Sequence, residues 1–187
     1  PLQPNNPYAA TKAAADFLVR AAHKSHGLDV VLTRCSNNFG PYQFPEKLIP
    51  LMIANASEDK ELPVYGDGKH VRDWLFVRDH CSAIDRVLRQ GRTGEAYNIG
   101  GHKDVPNIDV VKLLLKVLGK PESLIRFVKD RPGHDRRYAM NSDRIRSELG
   151  WKPEITFEKA LQETVRWYLD NREWWEHARS GQYKAYY

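Results

Sequence analysis

Cysteine and long apolar runs are scarce in this sequence, and both shortages exclude classes of protein. Only Cys35 and Cys81 occur among 187 residues, and their spacing matches neither a metal-binding nor a redox motif. We therefore predict two reduced thiols of a cytoplasmic protein and no metal site. No apolar run approaches the roughly 18 residues of a membrane span, and neither a secretory signal nor a repeat is visible. We expect no membrane partner.

The sequence also lacks the glycine loop of dinucleotide-binding proteins. Gly-x-Gly-x-x-Gly, which cradles a pyrophosphate, occurs nowhere in it. In addition, the sequence begins at Pro1 without methionine, a few residues before a candidate catalytic motif. We therefore expect a fragment whose upstream part is absent.

Acidic residues are slightly fewer than basic residues, and this balance indicates the charge of the ligand. The 29 Lys and Arg against 24 Asp and Glu give a formal net charge of +5 and a pI of about 9.2. A basic balance suits anionic ligands, and nucleic acid must be considered. However, the basic residues are interleaved with acids and never form a run of five. We predict a small anionic ligand such as a nucleotide, and no nucleic-acid partner.

The stretch Tyr8-Ala9-Ala10-Thr11-Lys12 opens a long helical run and carries two groups that could work together. Residues four apart lie on one face of a helix, one turn apart. A phenol titrates near pH ~10, so it serves as a base near neutral pH only if a cation such as Lys12 stabilises its phenolate. Short-chain dehydrogenases and reductases use Tyr-x-x-x-Lys in this way while NAD takes a hydride. The alternative is a packed tyrosine beside a solvated lysine.

A second Tyr-x-x-x-Lys, Tyr65-Gly66-Asp67-Gly68-Lys69, shows that the spacing alone is weak evidence. Its two glycines predict a turn, so its ends have no helical reason to face each other. The first copy has a better context, because Asn6 is a good N-cap and Pro7 suits the first helical position.

Periodicity and turn residues predict alternating helices and strands, as in an α/β fold. The predicted helices are 7–26, 50–57, 79–90, 108–118, 142–149 and 157–170, then a last helical piece with Trp174 and Trp175. The predicted strands are 29–35, 62–65, 69–76, 95–99 and 125–129. Residues 36–47 are predicted to form a loop. We expect Gly27 to end the first helix, and Asn107 and Thr156 to cap later ones. On helix 79–90, the expected apolar side consists of Cys81, Ile84, Val87 and Leu88.

Three places are candidates for binding an anion or a sugar. Asn37 and Asn38 follow a predicted strand, where ligands bind in open α/β sheets, although an Asn pair is also typical of turns. Arg72 could bind phosphate in bidentate fashion or form a surface pair with a nearby aspartate. The loop 130–138 carries three arginines and a histidine around Pro-Gly, and either holds a diphosphate or is simply solvated.

Taken together, the motifs resemble those of the extended short-chain dehydrogenase/reductases, and among them the dTDP-glucose 4,6-dehydratase family. The motifs are Pro-Tyr-x-x-x-Lys, Ser-Asn-Asn-x-Gly-Pro, Pro-Glu-Lys-Leu-Ile-Pro, Tyr-Gly-x-Gly, Arg-Asp-Trp-Leu-x-Val-x-Asp, Tyr-Asn-Ile-Gly-Gly, Arg-Pro-Gly-His-Asp-Arg-Arg-Tyr and Glu-Leu-Gly-Trp-x-Pro. They extend over nearly the whole chain and correspond to the C-terminal half or more of such an enzyme. The more specific motifs lie at 45–50 and 131–138. Those at 8–12 and 72–79 are shared with epimerases and decarboxylases.

The resemblance implies a fold and a reaction. The fold would be the C-terminal part of a Rossmann-type doubly wound parallel sheet (1–38 and 70–101), with a smaller mixed α/β substrate-binding domain (39–69 and 102–187). The reaction oxidises C4 of dTDP-glucose with tightly held NAD, eliminates water across C5 and C6, and returns the hydride to C6. Homodimers through the helix that starts at Tyr8 are also implied.

The same resemblance assigns roles to residues. Tyr8 would take the C4 hydroxyl proton, Lys12 would lower its pKa and bind the nicotinamide ribose, and Asn38 would lie near the nicotinamide. The dTDP-sugar would contact Asn37, Glu46, Lys47, Leu48, Pro63, Tyr65, Arg72, Asn107, Arg131, His134 and Tyr183. The family's Asp/Glu pair for the elimination lies upstream of the tyrosine, so we assign no residue to that step and expect this chain alone to complete no turnover.

Other functions stay open at this stage. A UDP-sugar 4-epimerase or a UDP-glucuronate decarboxylase would keep Tyr8 and Lys12. A non-catalytic module that binds nucleotide sugars could keep the fold without the chemistry. A nucleic-acid binder rests on the pI alone.

Overall fold

The computed structural model describes residues 3–181, in which helices and strands alternate. The α-helices are α1 (Pro7–His26), α2 (Leu48–Ser57), α3 (Val77–Gln90), α4 (Asn107–Leu118), α5 (Asp143–Leu149), α6 (Phe157–Asp170) and α7 (Arg172–Ser180). The strands are β1 (Leu32–Cys35), β2 (Asn37–Phe39), β3 (Leu62–Tyr65), β4 (Val71–Phe76), β5 (Ala96–Ile99), β6 (Asp104–Pro106), β7 (Ile125–Val128) and β8 (Arg137–Tyr138). Among the described helices, none has the length and apolar content that crossing a membrane requires.

The strands form three small sheets with mostly parallel pairing. β1 pairs with β5, and β3 with β7, both in parallel. β4 is the centre of the third sheet, parallel to β2 and β8 and antiparallel to β6. Parallel strands joined by helices define an α/β class, and this part of the fold prediction is confirmed.

Helix α1 has the ends that its sequence predicts. The Asn6 side chain accepts a hydrogen bond from the amide of Ala9 at 2.8 Å, and Gly27 ends the helix in the left-handed conformation with φ 65°. None of its residues is buried within the described structure. The helix is nevertheless tied to the sheet, because Asp16 accepts a hydrogen bond from Arg34 of β1.

Two hydrophobic clusters hold the elements together. The larger one lies among α2, α4 and α6, with Ile53, Leu114, Leu161 and the fully buried Tyr168. The smaller one packs α3 and α5 against β5, through Val87, Ile145, Tyr97 and Ile99. Trp175 is buried and Trp174 packs against the larger cluster, so both tryptophans belong to the core as expected.

The structure corrects several local predictions. β2 lies inside the segment predicted to be a loop, because residues 37–39 pair with residues 74–76 of β4. The strands on either side of the turn 66–68 exist, but they pair with other strands and lie in different sheets. Asn107 is the first residue of α4 rather than its cap, which is Pro106.

The side of α3 predicted to be apolar is only partly buried. Val87 is buried, together with Ala83 and Asp79, whereas Ile84 and Leu88 are exposed. Cys81 is also exposed and unpaired, and Cys35 is a second free cysteine. The buried stripe is therefore rotated from the expected one toward Ala83.

Candidate active site

Two arginines of the candidate anion site are free of carboxylate partners. Within residues 3–181, neither Arg72 on β4 nor Arg131 in the loop after β7 forms an ion pair. Arg72 donates only to the carbonyl of Val71, at 2.7 Å, and Arg131 lies over the ring of Tyr65, 5.2 Å from its centroid. Burial lowers the pKa of Arg72, the nearby Asp135 charge opposes this shift, and the Arg131 charge adds a smaller lowering. An anion bound between these two guanidinium groups would offset their mutual repulsion and be stabilised by both positive charges.

The other arginines of the loop 130–138 are already paired. Arg136 makes a bidentate contact with Asp67, at 2.7 and 2.9 Å, and Arg137 contacts Asp104 at 2.6 Å. Of the three arginines in this loop, only Arg131 is without a carboxylate partner among the described residues, because Arg136 and Arg137 pair with carboxylates from distant parts of the sequence. Asp67 in turn has its pKa lowered, chiefly by Arg136.

The aspartates next to Arg72 in sequence are also occupied elsewhere. The buried Asp73 accepts from the amides of Gly101 and Lys103, at 3.1 and 3.0 Å. Asp79 accepts from backbone amides of residues 154 and 155. The alternative of a surface pair between Arg72 and either aspartate is therefore wrong.

A buried histidine supports the arginine loop. His70, at 3% exposure, stacks on His134 with ring centroids 3.8 Å apart, and its Nε2 lies 3.1 Å from a carboxylate oxygen of Asp130. The other Asp130 oxygen lies 2.7 Å from His134 Nδ1 and accepts the Arg131 amide at 2.8 Å. Asp130 therefore fixes the first turn of the loop. The backbone carbonyl of His70 also accepts the amide of Asn107.

The same three side chains could by distance alone hold a metal ion, since their ligand atoms lie within 4.8 Å of one another. The rings of His70 and His134 are nearly parallel, at an interplanar angle of 17°. Imidazole lone pairs lie in the ring plane, so stacked rings direct them side by side rather than toward one ion. The arrangement suits a hydrogen-bonded support better than coordination, and the absence of a metal site stays a prediction.

The burial of His70 should make stability depend on pH. Burial and then the charge of His134 lower its pKa, helped by Arg136 and Arg72 and opposed by Asp130. The folded state then binds fewer protons than the unfolded state as pH falls through the unfolded pKa of about 6.5, so stability is lost below that pH. Burial also lowers the pKa of His80, which adds to the loss of stability at low pH.

His70→Phe should flatten this decline while leaving His80 in place. The measurement is the urea-unfolding free energy between pH 7.5 and 5.5, with His177→Gln on the exposed surface of α7 as a matched histidine control. Parallel curves for wild type and His70→Phe would contradict the assignment, whatever the offset between them.

The candidate catalytic pair lies at the start of α1. Tyr8 and Lys12 are both exposed, and the Lys12 ammonium lies 5.7 Å from the centroid of the Tyr8 ring. The helix therefore brings the phenol and the cation together as predicted. Their roles in catalysis stay predictions.

Asn38 has an amide group suited to an additional partner. Its Nδ2 lies 3.2 Å from both the sulfur of Cys35 and the carbonyl of Ser36, while its Oδ1 is buried and has no partner within residues 3–181. An unsatisfied buried oxygen is costly, and a carboxamide donor such as that of nicotinamide would satisfy it. Asn37 precedes it in β2 and is half-buried.

The remaining predicted substrate residues fall into two groups. Tyr65 lies against both Arg131 and His134, and the backbone amide of Asn107 donates to the carbonyl of His70. Asn107 Oδ1 is a further buried oxygen without a partner among the described residues. Pro63 lies two residues before Tyr65 on β3. Glu46 and Lys47 pair with each other at 2.9 Å at the start of α2, where Leu48 packs on the larger cluster. Tyr183 lies outside the described residues.

Sequence reasoning missed two supporting residues and one candidate contact. His70 and Asp130 carry no signal in a single sequence, because their relation is through space. Tyr138 belongs to one of the motifs named above, and its hydroxyl lies 3.5 Å from the carbonyl of Cys35.

Several proteins that are at least 50% identical to this chain are named dTDP-glucose 4,6-dehydratase. A relative from Xanthomonas campestris pv. campestris, named dTDP-glucose 4,6-dehydratase, is 55% identical over 98% of this chain and 55% of its own length. The solved dTDP-glucose 4,6-dehydratase of Bacillus anthracis, in complex with NAD, is 56% identical with a TM-score of 0.92 and covers 95% of this chain and 57% of its own. DesIV of Streptomyces venezuelae, a dTDP-glucose 4,6-dehydratase with NAD and TDP bound, is 50% identical with a TM-score of 0.93, over 95% of this chain and 55% of its own.

These overlaps confirm the resemblance drawn from the motifs and the Rossmann-type character of the fold. The chain spans about 55% of the length of the curated relative. Residues 1–164 match the family model described as GDP-mannose 4,6 dehydratase. The match covers most of the chain, which therefore belongs to the GDP-mannose 4,6 dehydratase family.

Proposed function

We propose that the complete protein carrying this sequence is an NAD-dependent sugar-nucleotide 4,6-dehydratase that acts on dTDP-glucose. The observation that carries the proposal is a pair of arginines, Arg72 and Arg131, that have no carboxylate partner within residues 3–181. Arg131 lies over the exposed ring of Tyr65. The similarity to dTDP-glucose 4,6-dehydratases supports the choice of nucleotide.

The nucleotide would bind on the face formed by β3, β4 and the loop after β7. Arg72 and Arg131 would neutralise the diphosphate, because a guanidinium matches phosphate oxygens in geometry and charge. Tyr65 and Pro63 would lie against the base or its ribose. His134, held by Asp130 and His70, would contribute an imidazole donor to the same ligand.

The reaction would begin at α1. The Tyr8 phenolate would take the proton of the C4 hydroxyl, and the Lys12 ammonium would stabilise that phenolate and bind the nicotinamide ribose. When bound, NAD would supply the hydride acceptor for C4 and the hydride donor for C6. The unpartnered Oδ1 of Asn38 fits the nicotinamide carboxamide, which supports NAD as the cofactor.

We also propose a homodimer, a cytoplasmic location and the two-domain division at 38/39, 69/70 and 101/102. The dimer is supported by the exposed apolar side chains of α1, among them Phe17 and Leu18 at 60% and 71% exposure. The cytoplasmic location is supported by the two free cysteines and by a nucleotide-linked substrate.

A thermal melt tests the nucleotide site directly. We expect dTDP to raise the melting temperature of the chain, because a ligand at about 100 times its Kd adds about 2.7 kcal/mol of stability. UDP and GDP at the same concentration should shift it less. Calorimetric titration with each nucleotide then gives the order of affinities.

Three outcomes of the melt are informative. A shift with dTDP alone supports the dehydratase. A larger shift with UDP would favour the epimerase or decarboxylase. A cooperative melt that no nucleotide moves would show that Arg72 and Arg131 do not form the site.

A further inference from the structure

The backbone of Tyr138 lies beside the proposed diphosphate site. It is the last residue of β8, and the parallel register of β8 with β4 places it directly opposite Arg72. The two residues before it are fixed by ion pairs, Arg136 to Asp67 and Arg137 to Asp104. The backbone of Tyr138 is therefore held next to the arginine that would bind phosphate.

The other end of the side chain reaches the proposed reaction centre. The Tyr138 hydroxyl lies 3.5 Å from the carbonyl oxygen of Cys35, and the amide of Asn38 lies 3.2 Å from the sulfur of the same cysteine. Tyr138 also lies close enough to Tyr8 to be influenced by its charge. One side chain thus spans the distance from the phosphate-binding arginine to the groups proposed to act on the sugar and nicotinamide.

The covalent structure of a sugar nucleotide requires the hexose to lie between the diphosphate site at Arg72 and the proposed base Tyr8. Its anomeric carbon is bonded to the diphosphate, and its C4 hydroxyl must reach Tyr8. We propose that Tyr138 contacts the hexose and donates a hydrogen bond from its hydroxyl to a sugar oxygen. The inference rests on the proposed function and deepens it, because it adds a residue that recognises the sugar rather than the nucleotide.

The state of the phenol agrees with a donor role. Burial raises the pKa of Tyr138, and the nearby Cys35, Tyr8 and Asp135 raise it further while Arg34 opposes them. The hydroxyl therefore keeps its proton at neutral pH and does not compete with Tyr8 as a base. Its present bond to the Cys35 carbonyl, at 3.5 Å, is longer than the roughly 2.5–3.0 Å of a good O–H···O bond. Little is lost when the hydroxyl turns to a ligand.

Tyr138→Phe in the complete protein tests this contact, because it removes one hydroxyl and keeps the ring. We expect kcat/KM for dTDP-glucose to fall about 3- to 10-fold, the effect of one neutral hydrogen bond. The Ki of dTDP as a competitive inhibitor should stay within about twofold of the wild-type value. Tyr42→Phe is the matched control, because Tyr42 is exposed and its ring packs on Trp167 and Trp174.

The outcomes separate this inference from the proposed function. An unchanged kcat/KM in Tyr138→Phe, with a wild type that is active and inhibited by dTDP, would overturn the sugar contact alone. Equal changes in kcat/KM and in the Ki of dTDP would also overturn it, since the effect would then lie at the nucleotide. A wild type that neither binds dTDP nor converts dTDP-glucose would overturn the proposed function, and this inference with it.

Discussion

Tyr8→Phe should abolish C4 oxidation in the complete protein while dTDP affinity stays nearly unchanged. A phenyl ring accepts no proton, and loss of a positioned general base costs about 10²- to 10⁴-fold in rate. The nucleotide site is spared because its arginines, Arg72 and Arg131, lie on β4 and in the loop after β7, whereas Tyr8 lies on α1. The measurement is a single-turnover experiment that follows formation of reduced nicotinamide.

The design separates loss of chemistry from loss of folding. Tyr8 is 72% exposed in the described structure and no core cluster includes it, so the variant should melt close to the wild type. Tyr42→Phe, at another exposed tyrosine, controls for the loss of a hydroxyl as such. Wild-type rates of nicotinamide reduction in Tyr8→Phe would remove this residue from the mechanism.

Local features of the fold could be predicted because short-range chemistry determines them. The cap at Asn6, the left-handed Gly27 and the cap at Thr156 all follow from residues within four positions of each helix end. β2 could not be predicted in this way, because Asn-Asn-Phe has no strand periodicity of its own. It is a strand only because β4 offers a partner about 37 residues away, at Trp74–Phe76.

In the candidate site, the sequence likewise does not reveal which charged side chains pair with each other. Sequence composition marked the loop 130–138 as basic, but which arginine is free depends on acids far along the chain. Arg136 is neutralised by Asp67 and Arg137 by Asp104, residues separated from them by 69 and 33 positions. Only the folded chain distinguishes Arg131, which lies on an aromatic ring, from its two paired neighbours.

Asn107 shows how a local rule can misplace a side chain. Asn is a favoured N-cap, so the sequence suggested a side chain turned back on its own helix. In the structure the helix begins at Asn107 itself and its backbone amide donates to the carbonyl of His70. Its Oδ1 is buried and has no partner in the part of the chain that the structure describes. The substrate contact that the resemblance implies for Asn107 stays a prediction.

Arg131→Ala should weaken dTDP binding by about 1.5–3 kcal/mol, roughly 10- to 150-fold in Kd, the range for hydrogen bonds to charged groups. The loss of affinity should be large because Arg131 has no carboxylate partner within residues 3–181. Its charge is therefore free to bind the diphosphate. Calorimetric titration with dTDP gives the change directly. The melting temperature without nucleotide should change little, because Arg131 is exposed.

Arg136→Ala is the contrasting variant, because Arg136 lies in the same loop but is paired with Asp67 at the surface. Exposed ion pairs contribute about 0–1 kcal/mol, so this variant should bind dTDP almost as the wild type does. Equal losses in the two variants would mean that the loop acts through its overall charge, and higher salt should then weaken dTDP binding to wild type and both variants alike. A selective loss in Arg131→Ala would show that the free guanidinium binds the ligand, because the two variants remove the same charge from the same loop and differ in whether the chain already neutralises it.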